Sequence, residues 1–274
     1  MSNPAEAPPP ESRAASEGPP GDPPAPPPSV PLRPLTFRDP LRWLALGTRD
    51  FARAPAIGVF YGACFVVMGW VLLKVYENAP AYVLALSAGF LLMGPFLCMG
   101  LYRVSQRLEK GEKPDFGDSL LAWDTRTGQL AIFGFVLLVL EMLWGRAALV
   151  VFAVFFNTGM PSTAGVLQAV FNPENWEFIA VYLAVGGFFA GLVFATSVVS
   201  IPMILDRDTD AISASITSLQ VFFSNLPVML LWGALISLLV VAALLPWGAG
   251  LLLVGPWLGH ASWHAYRGSV RWLD

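Results

Sequence analysis

Mixed and largely polar sequence fills roughly the first 55 positions, and six long apolar runs then follow at about 56–76, 81–103, 129–155, 178–204, 226–245 and 247–266, joined by polar connections. Each run is within or slightly beyond the roughly 20 residues that cross a bilayer as a helix. Barrel strands need only about 10 residues and alternate in polarity, whereas these runs are apolar throughout. A backbone in lipid must satisfy its own hydrogen-bonding groups, so runs of this length predict helices. The expectation is an all-α, polytopic membrane helix bundle with six transmembrane helices over residues 56–267.

The flanking sequence predicts three further pieces. Residues 1–35 include PPPESRAASEGPPGDPPAPPPSVPLRP, with too few large apolar side chains to offset the entropy of ordering them, which predicts a disordered Pro-rich tail. Residues 36–55, TFRDPLRWLALGTRDFARAP, set Leu41, Trp43, Leu44 and Phe51 against Arg38, Arg42, Arg49 and Arg53. This is the pattern of an amphipathic interfacial segment whose apolar side chains lie at the acyl boundary while the arginines reach anionic head groups. Residues 268–274 form a short C-terminal tail.

Two connections carry structure of their own. RVSQRLEKGEKP continues a helix out of the membrane until Gly111 and Pro114 stop it, with Arg103, Arg107 and Lys110 on one face. LDRDTDAISASITSLQVFFSNLP offers Asp208 or Thr209 as an N-cap and then Ile212, Ile216, Leu219 and Phe223 as an apolar face along the membrane surface, before Pro227 opens the fifth span.

Charge fixes the threading. Six arginines precede the first run, Arg103, Arg107, Lys110, Lys113 and Arg126 follow the second, Arg207 follows the fourth, and Arg267 and Arg271 follow the sixth. The alternate connections contain no Lys or Arg, which predicts both termini on the cytoplasmic side. Lys74 alone opposes this, near an outer end from which it can snorkel. No cleavable signal precedes the first run, so that span is expected to act as its own insertion signal. Composition agrees: 55% of residues are apolar, 13% are charged, and the mean hydropathy is +0.61. A net charge of −3 gives no basis for nucleic-acid binding. Cys64 and Cys98 fall in separate runs, as small buried side chains do, and predict neither a disulfide nor a metal site.

An internal echo accompanies the threading. Gly94-Pro95-Phe96-Leu97 in the second span answers Gly255-Pro256-Trp257-Leu258 in the sixth, and Ser200-Ile201-Pro202 is a looser version in the fourth. Pro95, Pro202 and Pro256 are thus the candidate helix breaks. Either three related hairpins or the ordinary abundance of Gly and Pro in membrane helices accounts for the pattern.

Two constellations could carry chemistry. His260 and His264, four residues apart, share a helical face and could hold a ligand, such as a single haem or a metal site completed by another subunit; alternatively they are anchors within an aromatic band of Trp257, Trp263 and Tyr266. Two ligands do not make a metal site, so no metal and no cofactor is expected. Glu141 and Arg146 are ionisable residues well inside a span, and such groups cost about 2.5 to 3.5 kcal/mol each on insertion scales. They either line a pathway or are satisfied internally as a structural polar pair. Five residues apart, they project roughly 140° away from each other on a helix, so each needs a partner elsewhere. Asp206, Asp208 and Asp210 resemble the start of a calcium loop, but Ala211 and Thr217 stand where Gly and Glu would be needed. Helix capping and a salt bridge to Arg103 or Arg107 explain them instead. With no Walker loop, Rossmann fingerprint, nucleophile elbow or zincin pair, the chain is not expected to be an enzyme.

Five stretches in order, LRWLALGTRDFARAP, GPFLCMGLYRVSQRLEKGEKP, WGRAALVVFAVFF, IPMILDRDTDA and GPWLGHASWHAYR, resemble a bacterial family of predicted integral membrane proteins of unknown function. The resemblance covers roughly residues 40–268. It implies a multi-pass protein of the bacterial inner membrane, in a family some of whose members carry the label of cytochrome c oxidase subunits. Two histidines on one helix cannot build an oxidase centre. The expected role is therefore an accessory or scaffold protein, with a respiratory membrane complex as a candidate partner beside the lipid. The alternative is a transporter of small solutes or lipid with a cavity at Glu141 and Arg146, and after it a haem- or metal-binding protein using His260 or His264.

Overall fold

Helices form where the apolar runs lie, and their ends are set by local chemistry. A computed structural model of the chain describes residues 31–78, 83–122, 124–156, 172–207 and 209–271. The expected tail over residues 1–30, Asp208 as a cap, and the last three residues lie outside the described residues. The helices are α1 (Asp39–Arg53), α2 (Pro55–Asn78), α3 (Val83–Glu109), α4 (Phe116–Leu120), α5 (Thr127–Phe155), α6 (Trp176–Ser197), α7 (Ser200–Asp206), α8 (Ala211–Ser224), α9 (Leu226–Leu244) and α10 (Leu251–Ser269). Among the described residues there is no strand. A single bridge pairs Leu32 with Val270, so that Pro31 to Arg33, expected within the disordered tail, are tied to the end of α10, and the Leu35 N–H donates to Asn225 Oδ1 at 2.8 Å.

Among the described residues, four segments are long and apolar enough to cross a membrane: Pro55–Val75, Thr127–Phe155, Pro173–Asp206 and Leu226–Leu244. The other two apolar runs fall on α3 and α10. α10 begins at Leu251 rather than 247, because the chain turns through residues 245–250 with Trp247 and Gly248 at positive φ. It is the central helix, packed by α1, α2, α3 and α9, and it buries His260, Trp263 and Tyr266 completely. The polar content that lowers its hydropathy is thus turned toward other helices, where polar groups can find partners.

α1 departs from the expected interfacial helix in one respect. Its arginines and Leu41 are exposed, but Trp43, Gly47 and Asp50 form a buried stripe against α10. The two backbones cross closely at Gly47, where a Cβ would stand only 2.8 Å from the Ala261 nitrogen and 2.9 Å from the Trp257 oxygen. Trp43 then meets Trp232 of α9 edge-on at 5.5 Å, and Trp257 donates to the Leu44 carbonyl at 2.9 Å. Trp43 therefore serves protein packing rather than the acyl boundary, because the glycine at the crossing lets α10 pack directly against this face.

The three prolines behave differently. Pro95 and Pro256 lie inside α3 and α10 without ending them. Pro256 leaves the Leu252 carbonyl without its helical donor, and α2 closes onto that carbonyl at Gly62, where any side chain would collide with it. At Pro202 the chain does break: α6 stops at Ser197 and α7 starts at Ser200. The gap is bridged from α8, where Ser218 Oγ donates to the Ala195 carbonyl at 2.7 Å and accepts from the Val199 N–H at 3.1 Å. One hydroxyl is inserted into the helical ladder in place of the bond between those two groups. α8 itself is capped by Asp210, whose carboxylate accepts from Ile212 and Ser213 N–H at 2.9 Å each. The cap stands just beyond Asp208 and Thr209, the two positions that the sequence pattern offered.

Candidate functional site

α3 and α10 run side by side in the same direction, with Leu101 against Gly259, Ser105 against His260 and Glu109 against Trp263. α7 ends beside them at Asp206. The polar side chains near these three helix ends are joined in one layer. Gln106 donates to Asp206 Oδ1 at 2.7 Å and Tyr266 donates to Asp206 Oδ2 at 2.8 Å, so a single carboxylate links α3, α7 and α10. Arg267 Nη1 lies 3.6 Å from the same carboxylate, and its Nε donates to Glu109, which also accepts from Trp263 Nε1.

The layer extends outward through Arg103, which donates to Gln106 Oε1 at 2.7 Å and to Asp118 Oδ2 at 3.0 Å. Arg107 donates to the same Asp118 oxygen at 2.8 Å. Burial would raise the Asp118 carboxyl, but the two guanidinium groups outweigh it and hold it below the ordinary carboxylate value. The salt bridge expected between the 206–210 aspartates and Arg103 or Arg107 is thus made by Asp118 instead, and Gln106 carries the link to Asp206. Asp118 arrives there because Asp115 caps α4, accepting from the Asp118 N–H at 2.7 Å.

The two histidines enter this end of the bundle separately. His264 Nε2 donates to Asp50 Oδ2 at 2.7 Å and joins α10 to α1. His260 Nδ1 shares a 2.8 Å hydrogen bond with Ser105 Oγ and joins α10 to α3. Its Nε2 makes no hydrogen bond among the described residues. Burial pushes the Asp50 carboxyl up, yet the hydrogen bond and charge of His264, with Ser105 and His260 behind it, leave it below its ordinary value. Among the described residues, no three His, Cys, Asp or Glu side chains gather as a metal site.

Glu141 and Arg146 stand apart from this layer. Glu141 is half-buried on α5, Arg146 is exposed, and neither makes a hydrogen bond or ion pair among the described residues. Cys64 and Cys98 are both free and half-buried.

Residues 83–206 match the family model described as a predicted integral membrane protein, DUF2189. This is the family the sequence resemblance pointed to. The comparisons with curated proteins and with solved structures find no match. The DUF2189 segment runs from the first residue of α3 to the last residue of α7, so it supplies Arg103, Gln106, Glu109, Asp118 and Asp206 to the polar layer, whereas Asp50, His260, His264, Tyr266 and Arg267 come from outside it.

Sequence reasoning singled out His260, His264, Arg103, Asp206 and Tyr266 and missed Asp50, Ser105, Gln106 and Asp118, which join them. Gln106 and Ser105 lie in a stretch read as a helix continuing out of the membrane, and their position on the face that α10 covers makes them interior. Asp50 offered a weak signal, as the acidic residue on the Trp43–Gly47 face of an otherwise arginine-bearing helix.

Proposed function

We propose that the protein is a non-enzymatic, six-span protein of the inner membrane, with both termini cytoplasmic, that works as an accessory or scaffold protein. In this reading α2, α3, α5, α6, α9 and α10 are the six spans. The polar layer lies at the cytoplasmic face, and the exposed arginines of α1 meet anionic head groups beside it. The observation that carries the reading is the mutual satisfaction of the layer. Its carboxylates, guanidinium groups, amide and phenol are spent on one another across α1, α3, α4, α7 and α10. Such a network fixes the relative positions of helix ends, as a platform requires, whereas a catalytic centre needs reactive groups aimed at a place where substrate can sit.

The test is mass spectrometry of what co-purifies with the full chain from native membranes in mild detergent. A scaffold brings down a defined, stoichiometric set of other proteins, with subunits of a respiratory membrane complex as the first candidates, and loses them when Asp206→Ala unlinks the three helix ends. Recovery of the chain without other proteins contradicts the proposal. One observation favours the transporter reading: Glu141, in the middle of a span, has no ion-pair partner among the described residues. That reading requires a solute flux in proteoliposomes that Glu141→Gln removes.

A further inference from the structure

We propose that the protein pairs with a second copy of itself along α5, with Glu141 of each copy meeting Arg146 of the other. α5 is a span of 29 residues, Thr127–Phe155, and Glu141 is its middle residue. Arg146 follows about 7.5 Å further along the axis, at 1.5 Å per residue, so both ionisable groups lie well inside the span. Within one copy the two side chains project about 140° apart and both lack partners among the described residues. Charges at this depth are costly unless they are paired, so their partners come from outside the fold.

The face between them has the spacing of a helix seam. Ala131, Phe135, Leu138, Met142, Gly145 and Leu149 follow one another at alternating steps of four and three, the a and d positions of a heptad repeat. The fold leaves the middle of this face open, with Leu138 half-buried and the next position of the series, Phe152, packed inside the protein. Phe135 is 65% exposed and Met142 55% exposed, and a Cβ at Gly145 would have nothing within 4 Å. The opposite side of α5, with Phe133, Leu137, Trp144 and Val151, is the one turned into the protein.

In this register Glu141, just before Met142, is at position g, and Arg146, just after Gly145, is at position e. Two parallel heptad helices bring a g residue of one beside the e residue five positions further on in the other. Membrane insertion gives both copies the same orientation, so a two-fold axis along the membrane normal makes the two α5 helices parallel. The five-residue offset and the opposite signs then match twice, once on each side of the seam. A second copy therefore satisfies both charges with no group supplied by any other molecule.

The experiment co-expresses two differently tagged full-length copies and measures co-purification from membranes. Glu141→Arg or Arg146→Glu, present in both copies, puts like charges at both meeting points and lowers recovery of the second tag by about tenfold. Co-expressing a Glu141→Arg copy with an Arg146→Glu copy restores opposite charges and restores recovery. Independently, in a chain with Cys64→Ala and Cys98→Ala, Met142→Cys forms a disulfide-linked dimer on oxidation, and Leu143→Cys, on the flank away from the seam, does not. The proposal is overturned if the mixed pair recovers no better than either single reversal, if the reversals leave recovery unchanged, or if the two cysteines cross-link equally.

Discussion

Replacing Ser218 by alanine removes one oxygen from the point where α8 stitches the break between α6 and α7. That hydroxyl donates to the Ala195 carbonyl and accepts from the Val199 N–H, at 2.7 and 3.1 Å, and Ser218, Ala195 and Val199 are all buried. Alanine leaves one backbone acceptor and one backbone donor without partners. An unsatisfied buried group costs about 1 to 3 kcal/mol, and interhelical hydrogen bonds in membrane proteins lie toward the lower end of that scale. About 1 kcal/mol for each group gives a loss of about 2 kcal/mol. The helix could recover the direct bond from Val199 to Ala195 only by straightening. That would move α7 and draw Asp206 away from Gln106 and Tyr266, so relaxation exchanges one loss for another. The assay is unfolding in mild detergent followed by tryptophan fluorescence, with Ser215→Ala as the control, because the Ser215 hydroxyl donates to the Ala211 carbonyl of its own helix. A Ser218→Ala protein as stable as the Ser215→Ala control refutes the reasoning.

Gly47→Leu drives a side chain into the α1–α10 crossing, where a Cβ would already stand 2.8 Å from the Ala261 nitrogen. It is expected to cost roughly 1 to 3 kcal/mol and to speed tryptic cleavage after Arg49 and Arg53 as α1 detaches. The Asp50 carboxyl is held below its ordinary value of 3.8 in the folded protein. The unfolded chain therefore takes up this proton first. The contribution of Asp50 to stability is complete above its ordinary value and is lost as pH falls through the lowered folded one. Asp50→Asn should consequently flatten the acid limb of the stability profile below about pH 4, measured by melting temperature, while lowering stability at neutral pH.

The spans were legible in the sequence because length and apolarity are one-dimensional properties. Thr127–Phe155 and Leu226–Leu244 coincide with the expected runs to within a few residues. The basic amphipathic segment was also visible, but not the way it docks. Its periodicity distinguishes one face from another and does not say whether lipid or protein covers each; Gly47 decides that, through a backbone approach that no pattern of hydrophobicity encodes. The polar layer was half legible for a related reason. His260 and His264 stand out because they are rare in this chain, whereas Gln106 and Ser105 look like surface residues until α10 covers them. The cap of α8 is Asp210 rather than Asp208 or Thr209, because DRDTD offers several similar oxygens in a row and the apolar periodicity does not choose among them.

Threading underlies every functional statement above, and thiol accessibility in intact cells tests it most directly. Single cysteines are introduced by Glu77→Cys, Glu174→Cys, Trp247→Cys, Glu112→Cys and Ser224→Cys, all exposed positions between or beside the helices, in a chain lacking Cys64 and Cys98. A membrane-impermeant maleimide is predicted to label the first three in intact cells and the last two only after the inner membrane is opened. Labelling of position 112 or 224 from outside, or protection of position 247, would contradict the six-span threading and, with it, the cytoplasmic placement of the polar layer.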